Sequence, residues 1–302
     1  MKKRTRQRGF TLVEAVIVIS ITAIVGAMVA VFIRMPVQGY IDSAVRADMA
    51  DVGDTALRRM ARDVRLSLPN SIRISGNYME LLLTKSGGRY LAVEDEQPTG
   101  GIPLQFAQAG NCTTTPNLCR FQVVGPMPGT LAPVSLRQQI AANDFIVVYN
   151  LGPGIEPANA YDCTGICNRA TVASVAGNVV TLTASAGSTA FAQQTAAETM
   201  TSPSRRFQAV SGPVTYFCDP RPGTGNLYRY EGYGITSAQP TIATLPLANR
   251  SIVASNVVGC GFTANVQPNV RASLINLRLE LSDSTGVERM DLFQQINVNN
   301  TP

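Results

Sequence analysis

The stretch Arg8-Gly9-Phe10-Thr11-Leu12-Val13-Glu14 sets an acid near the start of a run that is otherwise apolar. From residue 10 to residue 33, 24 residues in all, no other charge occurs. As a helix the run spans roughly 36 Å at 1.5 Å per residue, against about 30 Å of bilayer hydrocarbon, which is enough to cross. An ionised side chain inside such a span costs on the order of a few kcal/mol unless it is paired, so Glu14 needs a reason.

The charges around the run orient it. Lys2, Lys3, Arg4, Arg6 and Arg8 precede Gly9, and Arg34 with an acid-rich stretch follows the run. That asymmetry places the N-terminus in the cytoplasm and the bulk of the chain beyond the inner membrane. The net charge of +5 and pI near 9.0 belong to this leader, because the rest of the chain carries 20 basic and 20 acidic residues. Nucleic acid is therefore not an expected partner. A secretory signal has a shorter apolar core and ends in small residues, whereas this run ends in Ala30-Val31-Phe32-Ile33-Arg34-Met35-Pro36. A permanent single-span anchor explains length and orientation but leaves Glu14 unexplained.

The chain has no histidine and no tryptophan. Without histidine the commonest general base and the commonest transition-metal ligand are missing, and no nucleophile and base pair or phosphate loop stands out. No cofactor and no enzymatic activity are expected. The six cysteines, Cys112, Cys119, Cys163, Cys167, Cys218 and Cys260, lie beyond the membrane-type run, which fits disulfides formed in an oxidising compartment. Six cysteines allow fifteen connectivities. Local closure favours Cys112 with Cys119 and Cys163 with Cys167, which leaves Cys218 and Cys260 to staple C-terminal elements. A zinc site is the alternative, but it would need four cysteines converging from separate loops. Glu94-Asp95-Glu96 reads as a solvated turn or as a hard-cation site. Tyr228, Tyr230 and Tyr233 read equally as an exposed contact patch or as core.

Beyond the span, Ile41, Val45, Met49, Val52, Ala56, Met60 and Val64 recur at steps of three and four, which holds one face of a helix. Acids cluster early in this stretch and arginines late, as the helix dipole prefers. Pro36 with Gly39 is a candidate kink, and Leu68-Pro69-Asn70 a stop. From there on, short runs bounded by turn residues read as strands: 71–75, 78–84, 89–93, 120–124, 145–150, 171–175, 179–183, 206–210, 214–218, 227–230, 274–281 and 289–298. Lys85-Ser86-Gly87-Gly88 and Ala176-Gly177-Asn178 would turn hairpins, and a short helix is placed at 251–257 before a strand around Cys260. Residues 98–205, rich in Pro, Gly, Thr, Gln and Ala, read as an inserted β-rich lobe. The expected fold class is α+β, a long N-terminal helix packed on a mostly antiparallel sheet.

Gly9-Phe10-Thr11-Leu12-Val13-Glu14 after a short basic leader resembles the class III leader of type IV pilins and type II secretion pseudopilins. The resemblance implies that a prepilin peptidase removes residues 1–9 by cutting between Gly9 and Phe10, then methylates the new amine of Phe10. It implies that Glu14 is an assembly acid, paired in the fibre with such an amine. The domains it implies are a helix over 10–68, with a transmembrane part at 10–33 and an amphipathic part at 37–68, and a pilin-like globular domain over 69–302. Partners would be the peptidase, major and minor pilin subunits, the inner-membrane assembly platform and the lipid bilayer. The stretches 56–74, 215–235 and 292–302 resemble, more narrowly, minor pilins of mannose-sensitive haemagglutinin (MSHA) pilus biogenesis. The function expected is that of a minor pilin-like subunit for pilus assembly, initiation or tip capping. A minor pseudopilin of type II secretion and a pilus-associated adhesin are the alternatives.

Overall fold

A computed structural model of the chain describes residues 9–95, 99–106, 114–131, 135–163, 167–183, 191, 201–265 and 272–301, without the side chains of 34 and 35. The leader before Gly9, Glu96 and Cys112 thus lie outside the described residues. One helix, α1 (Leu12–Arg65), contains Pro36 and ends three residues before the expected stop at Leu68. The chain divides into two compact units, one ending at Asp51 and one starting at Val52, and α1 contributes to both.

In the second unit, the helix buries Gly53, Ala56, Leu57, Met60, Ala61 and Val64. These fall at i, i+3, i+4, i+7, i+8 and i+11, the spacing of a stripe about 100° wide. Each large apolar side chain so buried contributes about 1.5–3 kcal/mol. The seven-residue stripe read from the sequence needs correction, because Ile41 and Val52 are exposed. The face that packs is turned toward Gly53 and Leu57. Gly53 lets the helix approach so closely that a Cβ there would overlap the Leu292 side chain.

Among the described residues, twelve strands follow in two antiparallel sheets: β1 (Arg73–Ser75), β2 (Tyr78–Tyr90), β3 (Arg120–Val124), β4 (Phe145–Val147), β5 (Arg169–Ala176), β6 (Val179–Leu182), β7 (Arg206–Asp219), β8 (Asn226–Tyr230), β9 (Arg250–Ser255), β10 (Val257–Asn265), β11 (Ala272–Ser282) and β12 (Arg289–Asn299). β10, β11 and β12 form a three-stranded sheet in that order. The other nine form one sheet, in which β2 and β7 pair along most of their length.

Three local expectations are overturned. Residues 85–88 do not turn a hairpin, since β2 runs straight through them with register shifts at Leu83/Thr84 and Thr84/Ser86. The glycines serve close approach: a Cβ on Gly88 would lie 2.9 Å from the Phe207 ring. The strands expected at 206–210 and 214–218 are likewise one strand, β7. Residues 251–257 form no helix; 250–255 are strand β9, whose Ile252 and Ala254 pair with Tyr228 and Leu227. The hairpin at 176–178 is present between β5 and β6.

Continuous β2 and β7 carry the inserted lobe. β2 pairs β3, β3 pairs β6, β6 pairs β5, β5 pairs β4, β4 pairs β7, and β7 pairs β2, so six strands close on themselves. Among the described residues, every strand of this ring has a neighbour on both sides, so closure removes the edges that an open sheet would have. Its interior is a core of its own, with Tyr90, Phe106, Phe121, Phe207, Ile146 and Val172 among its members. The lobe is therefore a small barrel grown from the far ends of two strands whose near ends underlie the helix.

Candidate functional site

The described residues 9–33 are all exposed. Phe10 is 79% exposed and Leu12 81%, in a helix whose most apolar window has a mean hydropathy of 2.9 with none of it buried inside the chain. An exposed apolar surface of that size is not stable in water, so it needs lipid or other subunits to cover it.

The polar side chains in this run dispose of their hydrogen-bonding groups within the helix. Ser20 Oγ donates to the Val16 carbonyl at 2.8 Å and Thr22 Oγ1 to the Val18 carbonyl at 2.6 Å. Thr11 stands at the N-cap: its Oγ1 accepts from the Glu14 N–H at 3.4 Å, and its carbonyl accepts from the Ala15 N–H at 3.1 Å. Thr11-Leu12-Val13-Glu14 is thus the Thr-x-x-Glu pattern of a capping box, a local marker of the helix start that the sequence also carries. The Glu14 carboxylate is the exception. Among the described residues nothing bonds to it, and it sits in the first helical turn, where the dipole favours negative charge.

The other sequence candidates resolve without a catalytic or metal centre. Among the described residues no cluster of three or more His, Cys, Asp or Glu could hold a metal. In the acidic run, Asp95 accepts the Ala92 N–H at 2.9 Å and forms an ion pair with Arg205, so it serves as a turn anchor. Disulfides join Cys163 to Cys167 and Cys218 to Cys260. Cys119 is also disulfide-bonded, while a pairing with Cys112 concerns a residue outside those described. Cys218 lies on β7 and Cys260 on β10, so that bond ties the two sheets together.

The three tyrosines part company. Tyr230 is fully buried, whereas Tyr228 is half-buried and stacks on Phe217, which stacks on Tyr78. The Tyr233 hydroxyl bonds Thr215 Oγ1 at 2.6 Å and donates to Glu80 at 3.2 Å. Tyr230 is thus core, while Tyr228 and Tyr233 are half-buried, one in an aromatic stack and one in a polar network.

Two buried polar networks were not read from the sequence. Asp63, on the last turns of α1, accepts from Tyr216 Oη at 2.8 Å and from Arg229 Nε at 2.7 Å, which locks the helix to β7 and β8. On the opposite face of β2, Arg73 Nε donates to Glu80 at 2.6 Å while its other nitrogens reach the carbonyls of 236, 237 and 238. Burial pushes the Glu80 carboxyl up, against the lowering by Arg73 and Tyr233. The only hint in the sequence was charge at positions that otherwise pattern as strand or helix interior, and charge alone does not name a partner across 150 residues of chain.

Comparison with known proteins finds the prokaryotic N-terminal methylation motif at residues 4–30. No curated protein and no solved structure matches the chain. The motif is the class III leader of type IV pilins and pseudopilins. With this motif at its N-terminus and a long helix packed on antiparallel sheets, the chain has a pilin-like α+β arrangement.

Proposed function

We propose that this chain is a minor type IV pilin-like subunit of the MSHA type, resembling the minor pilin MshO, which is incorporated at or near the tip of a pilus and helps to start or cap its assembly. Prepilin peptidase cuts between Gly9 and Phe10 and methylates the Phe10 amine. The chain then sits in the inner membrane with residues 10–33 in the bilayer and its globular part, 69–302, on the periplasmic side, before it passes into the fibre.

One observation supports this reading above the others. In an apolar run whose hydroxyls are satisfied by the chain itself, the Glu14 carboxylate alone has no partner among the described residues. A carboxylate in a medium of low dielectric requires a cation, and cleavage before Phe10 creates one four residues away in sequence. The amine of an adjoining subunit offers the same charge and sets the axial register of the two helices. Because Glu14 is retained, the subunit is one with another subunit above it.

Mass spectrometry of the membrane-extracted protein tests the claim. The expected N-terminus is methylated Phe10. A chain still beginning at Met1 in cells with active peptidase overturns the reading.

A further inference from the structure

β12 is the outermost strand of its sheet. Among the described residues it pairs only with β11, so the backbone groups along its other side face no strand. Proteins usually blunt such an edge with shortness, lysine, proline or a bulge. β12 has none of these. It runs for 11 residues, against about 5–6 for a typical strand. Its register with β11 is unbroken from Asn299 to Arg289, and no charge follows Asp291.

The outward face of the edge carries a chemical pattern. Arg289, Asp291, Phe293 and Gln295 alternate along it and are all exposed. Asp291 is occupied, held by Arg278 at 2.7 and 2.9 Å. Arg289 has no ion-pair partner among the described residues, and the Phe293 ring is 64% exposed. A polar ladder crosses the sheet and stops at the edge: Asn276 Nδ2 donates to Thr263 Oγ1 at 3.2 Å, and Gln295 Nε2 donates to Asn276 Oδ1 at 3.0 Å. The Gln295 Oε1 at the end of that ladder receives no donor from the described residues.

We infer that β12 is a docking edge for an extended segment of another polypeptide, which adds a strand beside it. The backbone supplies the attraction and the three side chains the selectivity. The segment carries an amide or hydroxyl donor opposite Gln295, an apolar side chain opposite Phe293 and a carboxylate opposite Arg289. Paired antiparallel, it reads donor-x-apolar-x-x-x-acid from its N-terminus.

A second copy of this chain fits less well. Two β12 strands paired about Phe293 would set Arg289 against the uncharged Asn297, leaving the cation without an acid.

The test uses the full chain in detergent micelles and is independent of processing or fibre formation. The probe is a blocked peptide, Thr-Gln-Thr-Val-Thr-Thr-Thr-Glu-Thr, and the readout is backbone hydrogen exchange. At about ten times its dissociation constant the peptide is expected to slow exchange within 289–299 about tenfold and to leave β9 unchanged. Arg289→Glu should abolish the effect, and the same peptide with Lys in place of Glu should restore it on that variant. Unchanged exchange at 289–299 under millimolar peptide, or protection indifferent to the charge swap, overturns the proposal. Protection that appears without peptide as the chain is concentrated also overturns it, by identifying the occupant as a second copy.

Discussion

Glu14 is exposed, unbonded within the described chain and set in the first turn of an apolar helix. If its task is assembly, Glu14→Ala should be cut and methylated as usual yet enter fibres poorly, measured as the ratio of fibre-borne to membrane-borne protein. Normal incorporation would make the acid incidental. Asp63 makes the opposite case, since it is 7% exposed and faces Arg229, which is 6% exposed. Removing Asp63 leaves the buried Arg229 with only the exposed Glu231 as counter-charge and takes the acceptor from Tyr216, so Asp63→Ala should cost about 3 kcal/mol in denaturant unfolding, while a joint apolar replacement of Asp63 and Arg229 costs less. Glu80 adds a dependence on pH. Burial holds its carboxyl above the ordinary range, so the folded state keeps a proton that the unfolded state releases. Stability relative to Glu80→Gln should therefore fall as pH rises from about 4.3, the unfolded value, through the raised folded value. A difference that is flat or that grows with pH would contradict this. The oddity of Glu14, an acid in an apolar run, was legible from local sequence because it is local. The networks of Asp63 and Glu80 were not, because their partners come from other elements.

Among the elements, α1 was the most legible, since an uncharged run and a 3.6-residue period need no tertiary information. Its packing face was less so. Val52 kept the period yet stays exposed, while Gly53, which carries no hydrophobic weight in a pattern, lies against Leu292 and Leu281. Gly53→Ala should thus destabilise the chain, although alanine gains about 1 kcal/mol of helix propensity. Overpacking typically costs about 1–3 kcal/mol, so thermal unfolding should show a net loss for Ala and a larger one for Val. A rise in midpoint for Gly53→Ala would mean that the helix and sheet can part to accept the methyl group. β2 and β7 each looked like two strands because Gly87, Gly88, Gly212 and Pro213 are turn residues by type. In the fold they bend or thin a strand that continues, since pairing with a long neighbour outweighs local turn preference.

At the scale of the molecule, the Cys218–Cys260 bond joins the nine-stranded sheet to the three-stranded one across 42 residues of sequence. Closing a loop of that length constrains the unfolded chain by about 4 kcal/mol in the entropic account. Replacing both cysteines by alanine should lower unfolding stability by about that amount, and an unchanged midpoint would show that the sheets hold together without the bond. By itself the sequence determined the N-terminal motif, the apolar helix with its acid and the α+β class. Each of these is written in composition or in a period that one short stretch contains. Only the tertiary structure decided which helix face packs, that the inserted lobe closes into a barrel on the ends of β2 and β7, that Asp63 locks to Arg229, and that β12 is left as an open edge. Those features depend on strands and side chains that meet across many residues of chain, and pairing of that kind is settled by the whole set of competing contacts, not by any local pattern.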